Sequence, residues 1–155
     1  MGDIPSSGSG LGSSSTVTVG LLNAMFTYLG ETKDAATLAR LACHVEIDVL
    51  GKPIGVQDQY IITFGGQRFI HFCRDGGVRV ESLGLDDEQT RRLNRNLMLF
   101  LLAASPARRE DTFWASRHTT SGRPPMRCAA LKRLALQVRG ALHAGAFDDF
   151  GPAAG

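Results

Sequence analysis

The sequence predicts an α+β fold, because it contains two kinds of hydrophobic pattern separated by turns. Apolar residues recur at helical spacing in residues 16–29, 34–50 and 126–144, and they alternate with polar ones in residues 78–83. Between these segments lie stretches rich in Gly and Pro, such as "GKPIGVQDQ". The 155 residues are enough for a hydrophobic core of ordinary size.

The first helix is expected over residues 16–29. Its spacing predicts an amphipathic, largely buried helix with these apolar residues on its buried side: Val17, Leu21, Leu22, Met25, Phe26 and Leu29. Ser13 or Ser14 is the expected N-cap, because a serine hydroxyl accepts hydrogen bonds from first-turn amides. Gly30 is expected to end the helix, since glycine readily takes the left-handed conformation found there.

A second helix is expected from Asp34, a good N-cap, to about residue 50. Its buried stripe comprises Leu38, Leu41, Ala42, Val45 and Val49. Glu46 lies one turn after Ala42, at the edge of this stripe, so we expect its carboxylate to be half-buried. A carboxylate in that position is costly unless it is paired or metal-bound. Gly51 and Pro53 end the helix.

The remaining segments mix strands and helices. Residues 60–64 and 68–72 flank Gly65 and Gly66, a pattern that by itself is compatible with a hairpin. Further along, we expect a strand at 78–83, a polar helix at 86–96, a buried strand at 97–103, an exposed connection at 108–125 and a last helix at 126–144.

Composition and charge exclude several classes of protein. Hydrophobic residues make up 43% of the chain and charged residues 21%, as in soluble globular proteins, and the longest apolar run is too short to span a bilayer. The net charge is +2, with the basic residues concentrated towards the C-terminus. No aromatic-rich strand or zinc finger accompanies them, so solvated surfaces are favoured over nucleic-acid binding. Three widely spaced cysteines fit a reducing cytoplasm.

The stretch "GSGLGSSST" at residues 8–16 runs directly into the first helix. Glycines let a backbone approach a bulky anion, and the amides and dipole at a helix start favour negative charge. Serine hydroxyls add donors, and one could also ligate Mg²⁺. The stretch lacks the Gly-Lys-Ser/Thr of a Walker loop. It is therefore either a phosphate cradle or a capped loop with no ligand.

Two ordered motifs resemble a known family. "DIPSSGSGLGSSSTVTVGLLNA" (residues 3–24) resembles the second signature of the GHMP kinases, the galactokinase, homoserine, mevalonate and phosphomevalonate kinase superfamily. "HVEIDVLGKPIGVQDQYIITFGG" (residues 44–66) is similar to the segment that sugar-type members use for their metal and base, in particular in the D-glycero-D-manno-heptose 7-phosphate kinase branch. The resemblance covers residues 3–105 well and the C-terminal third loosely.

The resemblance implies ATP and Mg²⁺ as cofactors and assigns roles to matching residues. The residues expected around the nucleotide are Gly8, Gly10, Leu11, Gly12, Ser13, Ser14 and Ser15. Ser14 would ligate Mg²⁺ together with Glu46, and Asp58 would be the catalytic aspartate near the substrate hydroxyl. Residues expected to hold the sugar are Gly55, Gln57 and Gln59. The family also places a helix over residues 60–64, and we adopt that prediction in preference to the hairpin.

Each acid also has an interpretation without a ligand. Glu46 alone could be a solvated acid flanking the helix, and Asp58 alone could be the N-cap of the short helix that follows it. Phosphoryl transfer, in contrast, needs a metal, neutralisation of phosphate charge and a carboxylate that orients the attacking hydroxyl. The two acids and the serines of the motif supply those groups.

By resemblance, the fold is a two-layer GHMP-kinase-like core of helices packed on a mixed sheet, incomplete at both ends. Residues 1–105 would be part of the N-terminal, ATP-binding domain, 106–125 a connection, and 126–155 the start of a helical C-terminal domain. We expect a kinase acting on a hydroxyl of a small sugar or sugar phosphate. The alternative is a truncated, catalytically inactive nucleotide-binding remnant. An exposed sheet edge could favour self-association.

Overall fold

The computed structural model describes residues 12–98 and 125–147. In order, its elements are α1 (Ser13–Tyr28), α2 (Ala35–Cys43), a π-helical turn (His44–Val49), α3 (Gln57–Phe64), β1 (Arg68–Phe72), β2 (Val78–Ser82), α4 (Asp87–Arg95) and α5 (Pro125–His143). The two strands pair as an antiparallel hairpin. This mixture of helices and a small sheet confirms the α+β class.

Helix α1 begins earlier than the sequence suggests. Its N-cap is Gly12, in the left-handed conformation with φ 68°, so the expectation of a serine cap is wrong: Ser13 and Ser14 lie inside the first turn. The C-terminal end is as predicted. Gly30 has φ 73°, and its N–H donates to the carbonyl of Thr27, as in a Schellman ending.

The buried side of α1 differs from the predicted one. Ser15 and Val19 are buried, and Leu22 and Phe26, further along the same side, are half-buried. The other four residues predicted to be buried are exposed, namely Val17, Leu21, Met25 and Leu29. Helix α1 has two apolar stripes along its length. It packs against α2 and α3, so the stripe on that side is covered and the other is exposed.

Helix α2 follows the prediction closely. The Asp34 side chain accepts a hydrogen bond of 2.8 Å from the N–H of Thr37, which confirms the N-cap. Ala39 and Ala42 are completely buried, and Tyr60 of α3 is buried as well. Because α2 packs against α3, the small alanine side chains allow the two helices to approach closely.

The helical segment does not stop at Cys43 but widens into the π-helical turn His44–Val49. The N–H of Leu50 accordingly donates to the carbonyl of Val45, five residues back. Val49, predicted to be buried, is exposed after this change of helical pitch. Single π turns inside helices are frequent at functional sites.

The later elements agree with the sequence where the structure describes them. Helix α3 at Gln57–Phe64 confirms the helix adopted in preference to a hairpin, and β2 confirms the strand expected from residue 78. Asp86 caps α4 and forms a capping box with Gln89. The strand expected at 97–103 and the connection at 108–125 fall almost entirely outside the described residues.

The chain forms two compact units, Met1–Glu81 and Ser82–Gly155. In the second unit the buried apolar side chains among the described residues are Leu83, Leu142 and Phe147, and the Arg92 guanidinium lies 5.4 Å from the centre of the Phe147 ring. The longest helix there, α5, confirms the predicted last helix. Within residues 12–98 and 125–147, no helix combines the length and apolar character needed to cross a membrane.

Two glycines of the first unit should respond oppositely to alanine. Gly20 lies inside α1 with open space around it, so Gly20→Ala should raise the free energy of unfolding by about 0.5–1 kcal/mol. Gly30 also has open space but holds φ 73°, so Gly30→Ala should lower it by about 1 kcal/mol. Urea denaturation of both variants checks this, and a stabilising Gly30→Ala would contradict the helix ending described.

Candidate active site

Glu46 is a completely buried carboxylate, with none of its surface exposed. The expectation of a half-buried acid is therefore wrong, and a solvated flanking acid is excluded. Its Oε1 accepts hydrogen bonds from Ser14 Oγ at 2.5 Å and Lys52 Nζ at 3.0 Å, and its Oε2 from Ser15 Oγ at 2.8 Å and Gln59 Nε2 at 2.6 Å. Four donors thus satisfy the two carboxylate oxygens.

These donors come from elements that are distant in sequence. The first turn of α1 supplies both serines, the loop after the π-helical turn supplies Lys52, and α3 supplies Gln59. The Lys52 main chain is fixed as well, since its N–H donates to the Glu46 carbonyl at 2.9 Å. The site therefore exists only when the helices of the first unit are packed.

The environment of Glu46 keeps its side chain charged. Burial by itself would raise the pKa of this carboxyl group, but hydrogen bonds from Ser14, Lys52, Ser15 and Gln59 outweigh burial and lower the pKa to about 2. At neutral pH the group is a carboxylate that is screened from water. Such a group is suited to holding a cation.

Lys52 is a site residue that the sequence analysis missed. Its ammonium group lies 2.5 Å from Ser14 Oγ and 3.0 Å from Glu46 Oε1. The sequence contained one indication of this role. A buried acid needs a cation, and Lys52 is the first cationic residue after Glu46. The family motif did not draw attention to it.

Gln59 lies in a different place from the one its predicted role requires. It was expected to help hold a sugar, yet its side chain is completely buried and its Nε2 donates to Glu46. Its Oε1 is buried and has no hydrogen-bond partner among the described residues. Gln59 therefore fixes the orientation of the Glu46 carboxylate.

Asp58 lies beside the start of α1. A Cβ atom placed on Gly12 would stand 3.6 Å from Asp58 Oδ2, so the carboxylate comes close to the glycine that precedes the serines. Asp58 is exposed and is the second residue of α3, whose N-cap is Val56. The alternative role of Asp58 as an N-cap is therefore wrong. Gln57 and Gly55 are exposed nearby in sequence.

Several of the predicted residues gather around the first turn of α1, while others lie outside the described part. The gathered residues are Gly12, Ser14, Ser15, Glu46 and Asp58, and Ser13 belongs to the same turn. Gly8, Gly10 and Leu11 precede residue 12 and lie outside the described residues. The two acids thus lie at the same end of α1.

The start of α1 has the properties of an anion site. The first amides of any helix lack carbonyl partners within it and carry the positive end of the dipole. No acidic residue occurs in this first turn, so nothing in the turn itself competes for these groups. A phosphate placed there would meet backbone donors and serine hydroxyls.

The same residues fit a magnesium ion. Lys52 already shows that Ser14 Oγ and Glu46 Oε1 together bind a positive charge. Within residues 12–98 and 125–147 no cluster of three or more His, Cys, Asp or Glu side chains could hold a metal. An ion here would thus depend on few protein ligands, which suits Mg²⁺, since it usually keeps several waters and binds phosphate oxygens.

Comparison with known proteins finds a family model that matches the N-terminal part of the chain. Residues 1–66 match the family model of the GHMP kinases N terminal domain. This match covers both of the motifs on which the resemblance was based. The resemblance inferred from the two motifs is thereby confirmed.

Two similar proteins come from Campylobacter jejuni. The chain is 38% identical over 98 residues to a D-glycero-alpha-D-manno-heptose 7-phosphate kinase, an alignment that covers 63% of the chain and 29% of that relative. It also resembles the crystal structure of a candidate sugar kinase, with a TM-score of 0.67 and 28% identity, over 97% of this chain and 42% of that one. The chain spans less than half the length of either relative.

The low pKa of Glu46 predicts a specific loss of stability in acid. The folded carboxyl group stays charged down to its pKa of about 2, while the unfolded one titrates near 4.5, so acid favours the unfolded state between these values. The full difference corresponds to about 3 kcal/mol. We expect the free energy of unfolding to fall over this range.

The variant Glu46→Gln cannot ionise and should lack this part of the pH dependence, although it should be less stable at neutral pH. Glu31→Gln is the matched control, because Glu31 is an exposed acid paired with Lys33. Chemical denaturation at pH 6, 4 and 3 checks the prediction. The same acid slope in wild type and Glu46→Gln would contradict it.

Proposed function

We propose that this chain provides the ATP- and Mg²⁺-binding part of a sugar kinase. The reaction would transfer a phosphoryl group from ATP to a hydroxyl of a small sugar or sugar phosphate. The observation that carries the proposal is the buried, charged Glu46, hydrogen-bonded to two hydroxyls in the first turn of α1. It lies in the segment that matches the family model of the GHMP kinases N terminal domain.

The phosphates of ATP would bind at the start of α1. Gly12 and the serines after it offer backbone amides and hydroxyls, and the helix dipole favours the same charge. The left-handed Gly12 brings the backbone close to Asp58, where a side chain would be strained. Gly8, Gly10 and Leu11 would complete the cradle.

Ser14 and Glu46 would hold the magnesium ion, which when bound would neutralise charge on the phosphates. Ser15 and Gln59 would act beneath it as positioning residues, because both donate to Glu46 Oε2 and leave Oε1 directed towards Ser14. Glu46 is thereby held ionised, as a metal ligand must be.

Asp58 would act on the substrate hydroxyl. The hydroxyl oxygen attacks the γ-phosphorus, the bond to the departing ADP oxygen breaks, and the hydroxyl proton passes to the Asp58 carboxylate. Asp58 is exposed to an incoming substrate and lies beside the phosphate end of α1. Gln57 and Gly55, both exposed, would contact the sugar. The named relative suggests a sugar phosphate as substrate.

The second candidate is nucleotide binding without turnover. The observation that favours it is Lys52, whose ammonium already neutralises Glu46 in the place proposed for the metal. In that case ATP would bind through the helix start alone, and no phosphoryl transfer would follow. The experiment below separates the two candidates.

Some expectations from the sequence remain predictions. We propose a cytoplasmic location, in keeping with the free thiols of Cys43 and Cys73. Self-association through an exposed sheet edge, the absence of nucleic-acid and membrane partners, and the domain boundaries at residues 105 and 125 also stay predictions.

Two substitutions test the proposed kinase site. Ser14→Ala removes a metal and phosphate contact and should weaken binding of Mg-ATP by about tenfold or more. Asp58→Asn keeps the shape of the side chain but cannot take a proton, so it should bind Mg-ATP within about twofold of wild type and transfer no phosphoryl group. Calorimetry with and without Mg²⁺ measures the binding, and ³¹P NMR with sugar phosphates measures the transfer.

Ser82→Ala is the matched control, because it removes an exposed serine hydroxyl at the end of β2. It should leave Mg-ATP affinity unchanged. Equal affinity in wild type, Ser14→Ala and Ser82→Ala would contradict the phosphate site. Nucleotide binding without any transfer in wild type would favour the second candidate.

A further inference from the structure

Lys52 occupies the place in which the proposed function puts the metal. Its ammonium contacts Ser14 Oγ and Glu46 Oε1, the two atoms assigned to Mg²⁺. An ammonium and a divalent ion cannot both lie within bonding distance of the same two oxygens, since the like charges would repel strongly at that separation. One of the two cations must therefore leave when the other binds.

We propose that Lys52 is a tethered cation that fills the metal position until a divalent cation displaces it. Metal binding and the Lys52 contact then exclude each other. This inference rests on the metal part of the proposed function. It adds a role for a residue to which neither the family motif nor the sequence analysis assigned one.

The side chain of Lys52 can move away from the site, whereas that of Glu46 is held in place. The Lys52 side chain is 36% exposed while that of Glu46 is fully buried, so the ammonium has a direct route to water. Its flexible stem can swing without moving the backbone, which is held by the hydrogen bond from its N–H to the Glu46 carbonyl. After release, the ammonium therefore remains close to the site.

The charges of the site explain why the Lys52 ammonium and a divalent ion can replace each other. Glu46 needs one positive charge to be stable when buried, and Lys52 supplies it in the absence of metal. A divalent ion satisfies Glu46 and leaves the lysine charge in excess. Phosphate oxygens arriving with the metal would accept that ammonium, so a metal–polyphosphate complex should displace Lys52 more readily than the bare ion.

The test measures metal binding without nucleotide. Lys52→Met keeps the apolar stem and removes the competing charge, so it should bind Mn²⁺ at least about tenfold more tightly than wild type. Lys52→Arg keeps a cation and should resemble wild type. Lys33→Met is the matched control, because it removes an equal charge from a lysine paired with Glu31, and it should leave Mn²⁺ affinity unchanged. Electron paramagnetic resonance of free Mn²⁺ provides the affinities.

Two further measurements guard against a variant that folds poorly. Without metal, Lys52→Met should have a lower unfolding midpoint than wild type, and Mn²⁺ should raise its midpoint more than that of wild type. In the wild-type chain, saturation with Mg²⁺ should shift the NMR signal of the Lys52 side chain and leave that of Lys33 unchanged. This last measurement needs no substitution.

The outcomes separate this inference from the proposed function. If Glu46→Gln and Ser14→Ala weaken Mn²⁺ binding but Lys52→Met binds no more tightly than wild type, Lys52 is not a competitor and the inference is overturned. The same holds if no variant binds Mn²⁺ while Mg-ATP binding still depends on Ser14. The proposed function is tested separately, because it would be contradicted by equal Mg-ATP affinity in wild type and Ser14→Ala.

Discussion

The organisation of the first unit depends on one buried negative charge. An isolated carboxylate moved out of water would lose several kcal/mol, so Glu46 is tolerated only with donors on both of its oxygens. Those donors come from three separate segments of the chain, namely α1, the loop at Lys52 and α3. Folding of these helices and formation of the site are therefore the same event.

Local signals in the sequence predicted local structure well. Asp34 was predicted to cap α2, its partner lies three residues away, and the helix starts where this cap indicates. Helix α4 likewise begins within one residue of the predicted position 86. Helix α1 shows the limit of what such local signals can predict. A serine was expected to cap it, but the hydroxyl of Ser14 has its partner 32 residues away in Glu46, and a glycine takes the cap position. Cap preferences carry no information about such distant partners.

The candidate site was likewise predictable where it depends on local sequence and not where it depends on distant contacts. The motifs identified the serines, Glu46 and Asp58, because residue types at fixed spacing are visible in a sequence. The motifs did not identify Lys52, nor the burial of Gln59 beneath the carboxylate, because both follow from the packing of α3 and the loop on α1. The covered stripe of α1 was missed for the same reason, since its helical period allows either side to be buried.

The π-helical turn makes this region sensitive to chain length in a way that side-chain chemistry does not reveal. A π turn holds one more residue than the α turn it replaces. Removing a single residue between His44 and Val49 would narrow this turn to regular α-helical winding and leave the segments on either side in nearly the same rotational register, because the wider turn absorbs the extra residue. Glu46 lies within this turn, so the removal would still displace its carboxylate relative to Ser14 and Ser15 while the flanking segments kept their directions.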